Sequence, residues 1–341
     1  MNNDILSSYD VVLGSIKVGF PAIHNYIAYN NLMGGLGSIE LYHTSNNYVV
    51  GNVIAHKRAA GGDGIKILDV SPSNVILHNT IIDCRYGIEL VGSSLSDPAQ
   101  NNTIAGNSII DNFHSIHTAY SFKNKIYHNN FINNERGLSV STFTSLDIWD
   151  DGYPSGGNYW SDYNGTDLHW GFGQNETGSD GIGDTAYTIG ENNTDRYPLM
   201  APINIFDVGV WNETEYFVDV ISNSTVSDFN INVTEKTLSF NVTGIEGDAG
   251  FCRVTIPNVI AEDLWQGSYT VLFNGEPWPF RNWTDTTNTY IYLNYTHSEH
   301  EIVIIPEFSA STVLSFIILT GVITLIVKKL KNRKTWASNL N

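Results

Sequence analysis

The sequence predicts an all-β protein: a right-handed parallel β-helix, then an immunoglobulin-like β-sandwich, then one C-terminal transmembrane helix. Three observations predict it. Asn recurs at Asn25, Asn47, Asn74, Asn102 and Asn124, and a second Asn follows five residues later at Asn30, Asn52, Asn79, Asn107 and Asn129. From about residue 203 the apolar residues alternate with polar ones over longer runs, as in strands with one buried face. Residues 309–327 hold no charged side chain, and Lys328, Lys329, Lys331, Arg333 and Lys334 follow.

The first 140 residues read as β-helix coils. Copies spaced by 22, 27, 28 and 22 residues are too short for paired helices. Each copy ends on Gly or Ser and an apolar-x-apolar triplet, as in Ser38-Ile39-Glu40-Leu41 and Gly87-Ile88-Glu89-Leu90. In Ser115-Ile116-His117-Thr118 the last triplet position is polar, and a short insert delays Gly64-Ile65-Lys66-Ile67. Runs of three to five apolar, mostly β-branched residues between Asn and Gly suit short strands that pair in parallel with their copies one coil later. Asn suits the corners, because it tolerates left-handed turns and its amide bonds to the next rung. Cys84 lies where later coils have Asn112 and Asn134, so it reads as a corner residue. With Cys252 far away, two buried thiols are expected rather than a disulfide. Residues 9–20 read as a leading coil. Met1-Asn2-Asn3-Asp4 lacks the basic region of a signal peptide, which reads as a missing or misassigned start.

Residues 141–202 break the repeat. They contain Gly156-Gly157-Asn158-Tyr159-Trp160-Ser161-Asp162-Tyr163, Asp180-Gly181-Ile182-Gly183-Asp184 and Tyr197-Pro198-Leu199. With the coils from about residue 24, these motifs resemble the NosD-like β-helix family with its CASH-type repeats. The segment at residues 168–179 departs from that family's pattern. The resemblance implies a parallel β-helix whose founding relatives are periplasmic accessories in copper-site maturation, while many archaeal surface relatives have no assigned activity.

Residues 203–305 read as seven or eight antiparallel strands with turn signals such as Asn274-Gly275, hence the sandwich. It resembles, loosely, a module found beside such β-helices in archaeal surface proteins. Residues 306–341 read as the anchor. Nineteen uncharged residues at ~1.5 Å each span a ~30 Å hydrocarbon core, and the basic cluster places the C-terminus in the cytoplasm. Pro306-Glu307-Phe308 before it resembles an archaeosortase signal, which implies cleavage, but a retained anchor is the reading adopted.

All 35 acidic residues and 12 of the 17 basic ones precede residue 309, so that part carries −23 and the remainder +5. So acidic a body repels nucleic-acid phosphate. Ten Asn-x-Ser/Thr sequons, nine after residue 160, favour an exposed glycoprotein.

Chemistry has three candidate places. The triplet centres Glu40, Lys66, Glu89, His117 and Ser139 form an outward column one rung apart, ~4.8 Å. There Glu89, Lys66 and His117 are candidate acid/base residues of a polysaccharide lyase or hydrolase, set against a plain alternating-charge ladder. Asp180 and Asp184, with Asp162, Asp167 or Glu176 nearby, are candidate calcium ligands, set against a structural turn. Trp149, Trp160 and Trp170 are candidate sugar platforms, set against a plug closing the core. Copper is implied only by the resemblance. Against it, His114 and His117 are expected on opposite faces, and His78 and His128 stand two rungs apart with Gly106 between. The function expected is a membrane-anchored cell-surface protein, structural or binding glycans or cell-envelope polymers. The alternatives are a polysaccharide-active enzyme and a copper-maturation accessory.

Overall fold

The computed structural model describes residues 4–6, 10–12, 15–140 and 145–307. The expected membrane segment lies outside them; among the described residues no helix is long and apolar enough to cross a membrane.

Three parallel sheets wind around one core. The first runs through Tyr26–Ala28, Tyr48–Val50, Val75–Leu77, Thr103–Ala105 and Ser121–Tyr127. The second runs through Asn31–Met33, Val53–Ala55, Thr80–Ile82, Ser108–Ile110, Asn130–Ile132 and Tyr159–Trp160. The third runs through Ile16–Gly19, Ile39–Tyr42, Ile65–Leu68, Tyr86–Val91, His114–Ala119 and Ser139–Val140. Strands Asp4–Leu6 and Asp10–Val12 extend the first two sheets, so a coil precedes residue 24.

Register stacks like on like. Ile27, Val49, Ile76, Ile104 and Ile126 form one fully buried column, and Leu32, Ile54, Ile81, Ile109, Phe131 and Trp160 form another. Thr118 continues the column of Leu41, Ile67 and Leu90, and its buried Oγ1 has no hydrogen-bond partner. Thr118→Val is therefore expected to stabilise the protein by ~1–2 kcal/mol, read as a higher urea midpoint at unchanged m.

The corners are asparagine ladders. In two of these ladders, from the second coil on, each Asn accepts two bonds on Oδ1, from the backbone N–H and the amide of its equivalent one coil earlier, and its own amide donates one coil onward. Asn79 Oδ1 takes Asn52 N–H and Nδ2–H at 2.9 Å each, and Asn79 Nδ2 reaches Asn107 Oδ1 at 2.9 Å. The chain of amides therefore has a direction, and its far end needs an acceptor that has nothing to donate. An Asp carboxyl oxygen, which accepts and carries no amide that must be placed further on, meets that requirement. One ladder ends on Asp147, which accepts from Asn124 at 2.8 Å. The other passes Asn158 and ends on Asp195, which accepts from the Asn158 backbone N–H at 2.7 Å. A third corner holds Lys57, Cys84, Asn112 and Asn134. The Cys84 N–H donates to Asn112 Oδ1 at 2.9 Å, and buried Lys57 donates its ammonium to the Gly34 carbonyl at 2.5 Å. Burial pushes the Cys84 thiol up to about 12, and both cysteines are free.

The closing segment folds over the end of this core through two small hairpins, His169–Trp170 with Glu176–Thr177 and Tyr187–Gly190 with Asn193–Asp195. Beyond it, two five-stranded antiparallel sheets pack face to face. One contains Ile203–Trp211, Thr214–Ser222, Ala249–Pro257, Asn288–Thr296 and Arg281–Thr284. The other contains Thr225–Asn232, Thr237–Thr243, Glu299–Pro306, Tyr269–Phe273 and Glu276–Pro277. Ten strands exceed the seven or eight expected, because the short Glu276–Pro277 and Arg281–Thr284 strands edge the two sheets. A helix, Asn258–Trp265, was also not expected; it buries Ile260, Ala261, Leu264 and Trp265 against the sandwich core.

The sandwich sits directly on the coils. Asn130 accepts the Ile203 N–H at 2.8 Å and returns a bond to the Ile203 carbonyl at 2.9 Å. A small apolar cluster of Ile182, Leu199, Ile203 and Ile221 fills the junction.

Candidate functional site

The outward column is an ion ladder in this structure. Lys17 meets Glu40 at 3.0 Å, and Lys66 meets Glu89 at 3.3 Å. His117 follows Glu89 in register. Lys66 is also held by Asp63 at 2.5 Å, and Arg85 grips Asp63 through Nε and Nη2 at 2.9 Å each. Burial works to raise the Asp63 pKa, but the bonds from Arg85 and Lys66 outweigh it and hold the carboxyl below its usual range. Burial likewise works to lower Lys66, and its carboxylate partners hold it above the ordinary lysine value. An ammonium so held is a poor proton acceptor at neutral pH. The structure thus brings Glu89 and Lys66 together as an ion pair, with His117 one rung on.

The two histidines of this face do not point to opposite sides. Both His114 and His117 stack on Tyr86, with ring centroids 5.1 Å away in each case. The expectation fails because Ser115 and Ile116 are buried in succession where the chain enters the strand, so the alternation slips by one. Burial lowers the His114 pKa.

The tryptophans divide. Trp149 is 1% exposed and Trp160 3%, so neither offers a ring face to a sugar. Trp160 lies between Phe131 at 4.2 Å and Tyr187 at 4.5 Å, and its indole N–H donates to Asp195 at 2.9 Å. They are the plug of the core. Trp170, on the hairpin, is half-buried and faces Trp283 of the sandwich at 6.4 Å.

The aspartates of the glycine-rich loop cap turns. Asp180 is buried and accepts the Ile182 N–H at 3.0 Å; Asp167 accepts the N–H groups of Asp180 and Gly181 at 2.9 and 2.8 Å. Asp184 accepts from Leu168 N–H, His169 N–H and the Thr166 hydroxyl at 2.9–3.1 Å. Burial works against the charged form of Asp184, and these donors nevertheless lower its pKa. With their oxygens engaged by N–H and O–H donors, Asp180 and Asp184 serve in this structure as turn caps.

Burial pushes Asp195, Asp167 and Asp219 each up to about 7. A folded-state pKa above the unfolded value means that the stability these groups give is complete below ~4 and is lost as pH rises to ~7. Asp63 and Asp184, with lowered values, lose theirs as pH falls below ~4. The melting temperature is therefore expected to peak near pH ~4–5 and to fall steadily to pH ~8, with Asp195→Asn flattening part of that slope in calorimetry.

A cleft absent from the sequence reading lies where the coils meet the sandwich. The residue before each ladder Asn at this corner is left-handed: Tyr29, Gly51, His78, Gly106 and His128, with φ from 55° to 66°. Rings and glycines alternate along it. A Cβ on Gly51 would lie 2.7 Å from the Tyr29 ring, and one on Gly106 would lie 2.5 Å from the His78 ring and 2.7 Å from Ile205. Each glycine thus gives room for the ring one coil before it, and Gly106 also lets the sandwich approach. Phe217 meets His78 edge-on at 4.7 Å. The cleft so formed holds about 690 Å³. Its aromatic wall is Tyr29, His78 and Phe217; Asp207 and Glu215 stand on the sandwich side, and Thr80 and Ser108 on the coil side. Tyr29 is 60% exposed. Burial lowers the His78 pKa against the pull of Asp207, favouring a neutral ring.

His78 and His128 do not share a copper ion. His78 is wedged against Phe217, and His128 is bonded to the Ser155 carbonyl at 3.0 Å with the Gly106 coil between them. Among the described residues no group of three or more His, Cys, Asp or Glu stands close enough to hold a metal.

Comparison with known proteins bears on the coils. Residues 11–165 match the family described as periplasmic copper-binding protein (NosD). A cell surface glycoprotein of Methanothermus fervidus is 34% identical over 131 residues, 37% of this chain. The match spans 21% of that protein's length. Among solved structures, the Dettilon tailspike protein aligns over 89% of this chain and 85% of its own at 8% identity, with a TM-score of 0.18. The parallel coils, the matched family and the closing motifs agree, and over residues 11–165 the chain is a NosD-like parallel β-helix.

Proposed function

We propose that this is a surface protein of the cell envelope that holds carbohydrate, or an envelope polymer built of it, in the cleft between β-helix and sandwich. Residues 309–327 would anchor it in the membrane with the acidic body outside. The cleft is the observation that carries this reading. An exposed phenol ring suits the C–H face of a pyranose, and carboxylates and hydroxyls around it suit sugar hydroxyls. The walls belong to two units joined by a buried core and by the paired Asn130–Ile203 bonds, so the site is preformed. The likeness to an archaeal cell surface glycoprotein supports the location. The ion-paired state of Lys66 favours a binding role over acid/base chemistry on the outward column.

A glycan array probed with the full chain in detergent tests the proposal. Retention of a defined saccharide class is the expected result. An array without retained glycans, repeated with isolated envelope polymer and again negative, would overturn it.

A further inference from the structure

We propose a second ligand site, for a carboxylate-bearing saccharide, in the pocket of about 470 Å³ where the closing segment meets the sandwich. It stands independently of the cleft at Tyr29. Strand register builds its floor. Arg253, Tyr292 and Arg281 are direct partners across three strands, and Thr255, Tyr290 and Trp283 form the next row on the same face. The hairpin carrying Trp170 covers this face from the other side and brings the two indoles to 6.4 Å at 43°. Both indoles are half-buried, so each keeps part of its surface open to the pocket.

The pocket carries an exposed cation in an acidic chain. Acidic residues outnumber basic ones 35 to 17, and Arg58, Arg85 and Arg196 each hold a carboxylate. Arg281 is exposed at the pocket, and among the described residues no carboxylate lies within ion-pair distance of it. Its guanidinium lies over Gly178 and donates only long bonds, 3.3 Å to the Ser179 carbonyl and 3.4 Å to that of Thr177. Behind Trp283, Arg253 is fully buried 5.5 Å from the ring, with Nε and Nη1 unpartnered. The Trp283 indole N–H is buried and unpartnered as well.

Two indoles, a planar guanidinium held only by two long bonds to backbone carbonyls, and a second cation behind one ring suit one chemical class. The apolar face of a pyranose rests on the indoles, and its carboxylate takes the two-point bond that a guanidinium fork offers. A neutral sugar would satisfy the rings and leave the fork unused.

Fluorescence and calorimetric titration of the full chain with trigalacturonate, against maltotriose, tests this. The acidic sugar is expected to quench tryptophan emission saturably and to bind at least ~10-fold more tightly than the neutral one, with the difference shrinking in salt. Arg281→Gln should lose ~10-fold or more, Arg281→Lys should retain part of the binding, and Asn192→Ala, exposed and outside both pockets, should bind as wild type. Trp170→Ala should weaken binding and Trp170→Phe restore it, which covers the case in which loss of Arg281 loosens the hairpin. Equal affinity for the two sugars, an Arg281→Gln protein that binds like wild type, or no binding up to ~10 mM would each overturn the proposal.

Discussion

Asn79→Ala is expected to lower the stability by ~4 kcal/mol or more, well above the ~1 kcal/mol of an average substitution. The reason is the number of groups it would strand. Asn79 Oδ1 receives two donors from Asn52, and Nδ2 supplies the carbonyls of Val49 and Leu77 as well as Asn107 Oδ1, all at 2.9–3.0 Å in the interior. Alanine leaves these without partners in a place water does not reach, at ~1–3 kcal/mol for each that stays unsatisfied. Urea unfolding monitored by circular dichroism reads the effect as a lower midpoint. Asn192→Ala, an exposed asparagine outside the ladders, is the control and should fall within ~0.5 kcal/mol of wild type.

Trp160→Ala should cost ~3–5 kcal/mol. The indole closes the second core column, is stacked on both faces by Phe131 and Tyr187, and donates one of the bonds that keep Asp195 from rising further. Its loss opens the end of the core and removes a donor from a buried carboxyl at once. The same urea series should therefore show a larger deficit at pH ~8 than at pH ~5, since the uncompensated group is the ionised one. Equal deficits at both would mean that packing alone accounts for the loss.

The coils were legible because their chemistry forces repetition. An inner ladder works only if one residue type returns at each coil, so Asn74, Asn79 and their equivalents mark the corners in the sequence itself. Cys84 at the third corner was legible for the same reason, while Lys57 was hidden by the insert that follows it. The ends of the ladders were not legible. Asp195 meets Asn158 across 37 residues of irregular chain, and no period reveals that contact. The helix Asn258–Trp265 has a signal in the sequence, since its buried residues fall at helical spacing directly after Pro257. The cleft was half-legible. The alternation of Tyr29, Gly51, His78, Gly106 and His128 before the ladder asparagines is visible in the sequence, but its partner Phe217 belongs to a separate unit. His114 and His117 show the limit of simple alternation, which fails where a strand begins at a bend.

The outward column and the cleft make opposite demands on two single substitutions. Glu89→Gln removes one partner of a partly exposed ion pair and is expected to cost ~0.5–1 kcal/mol of stability. Tyr29→Ala removes a ring that is 60% exposed and lies against Gly51, so the fold should change little. Affinity of both variants for the glycan retained by the wild-type chain tests the assignment most directly. A loss of ~10-fold or more in Tyr29→Ala with unchanged binding in Glu89→Gln is the predicted result. Unchanged binding in Tyr29→Ala, with Glu89→Gln abolishing binding or turnover of that glycan, would contradict it.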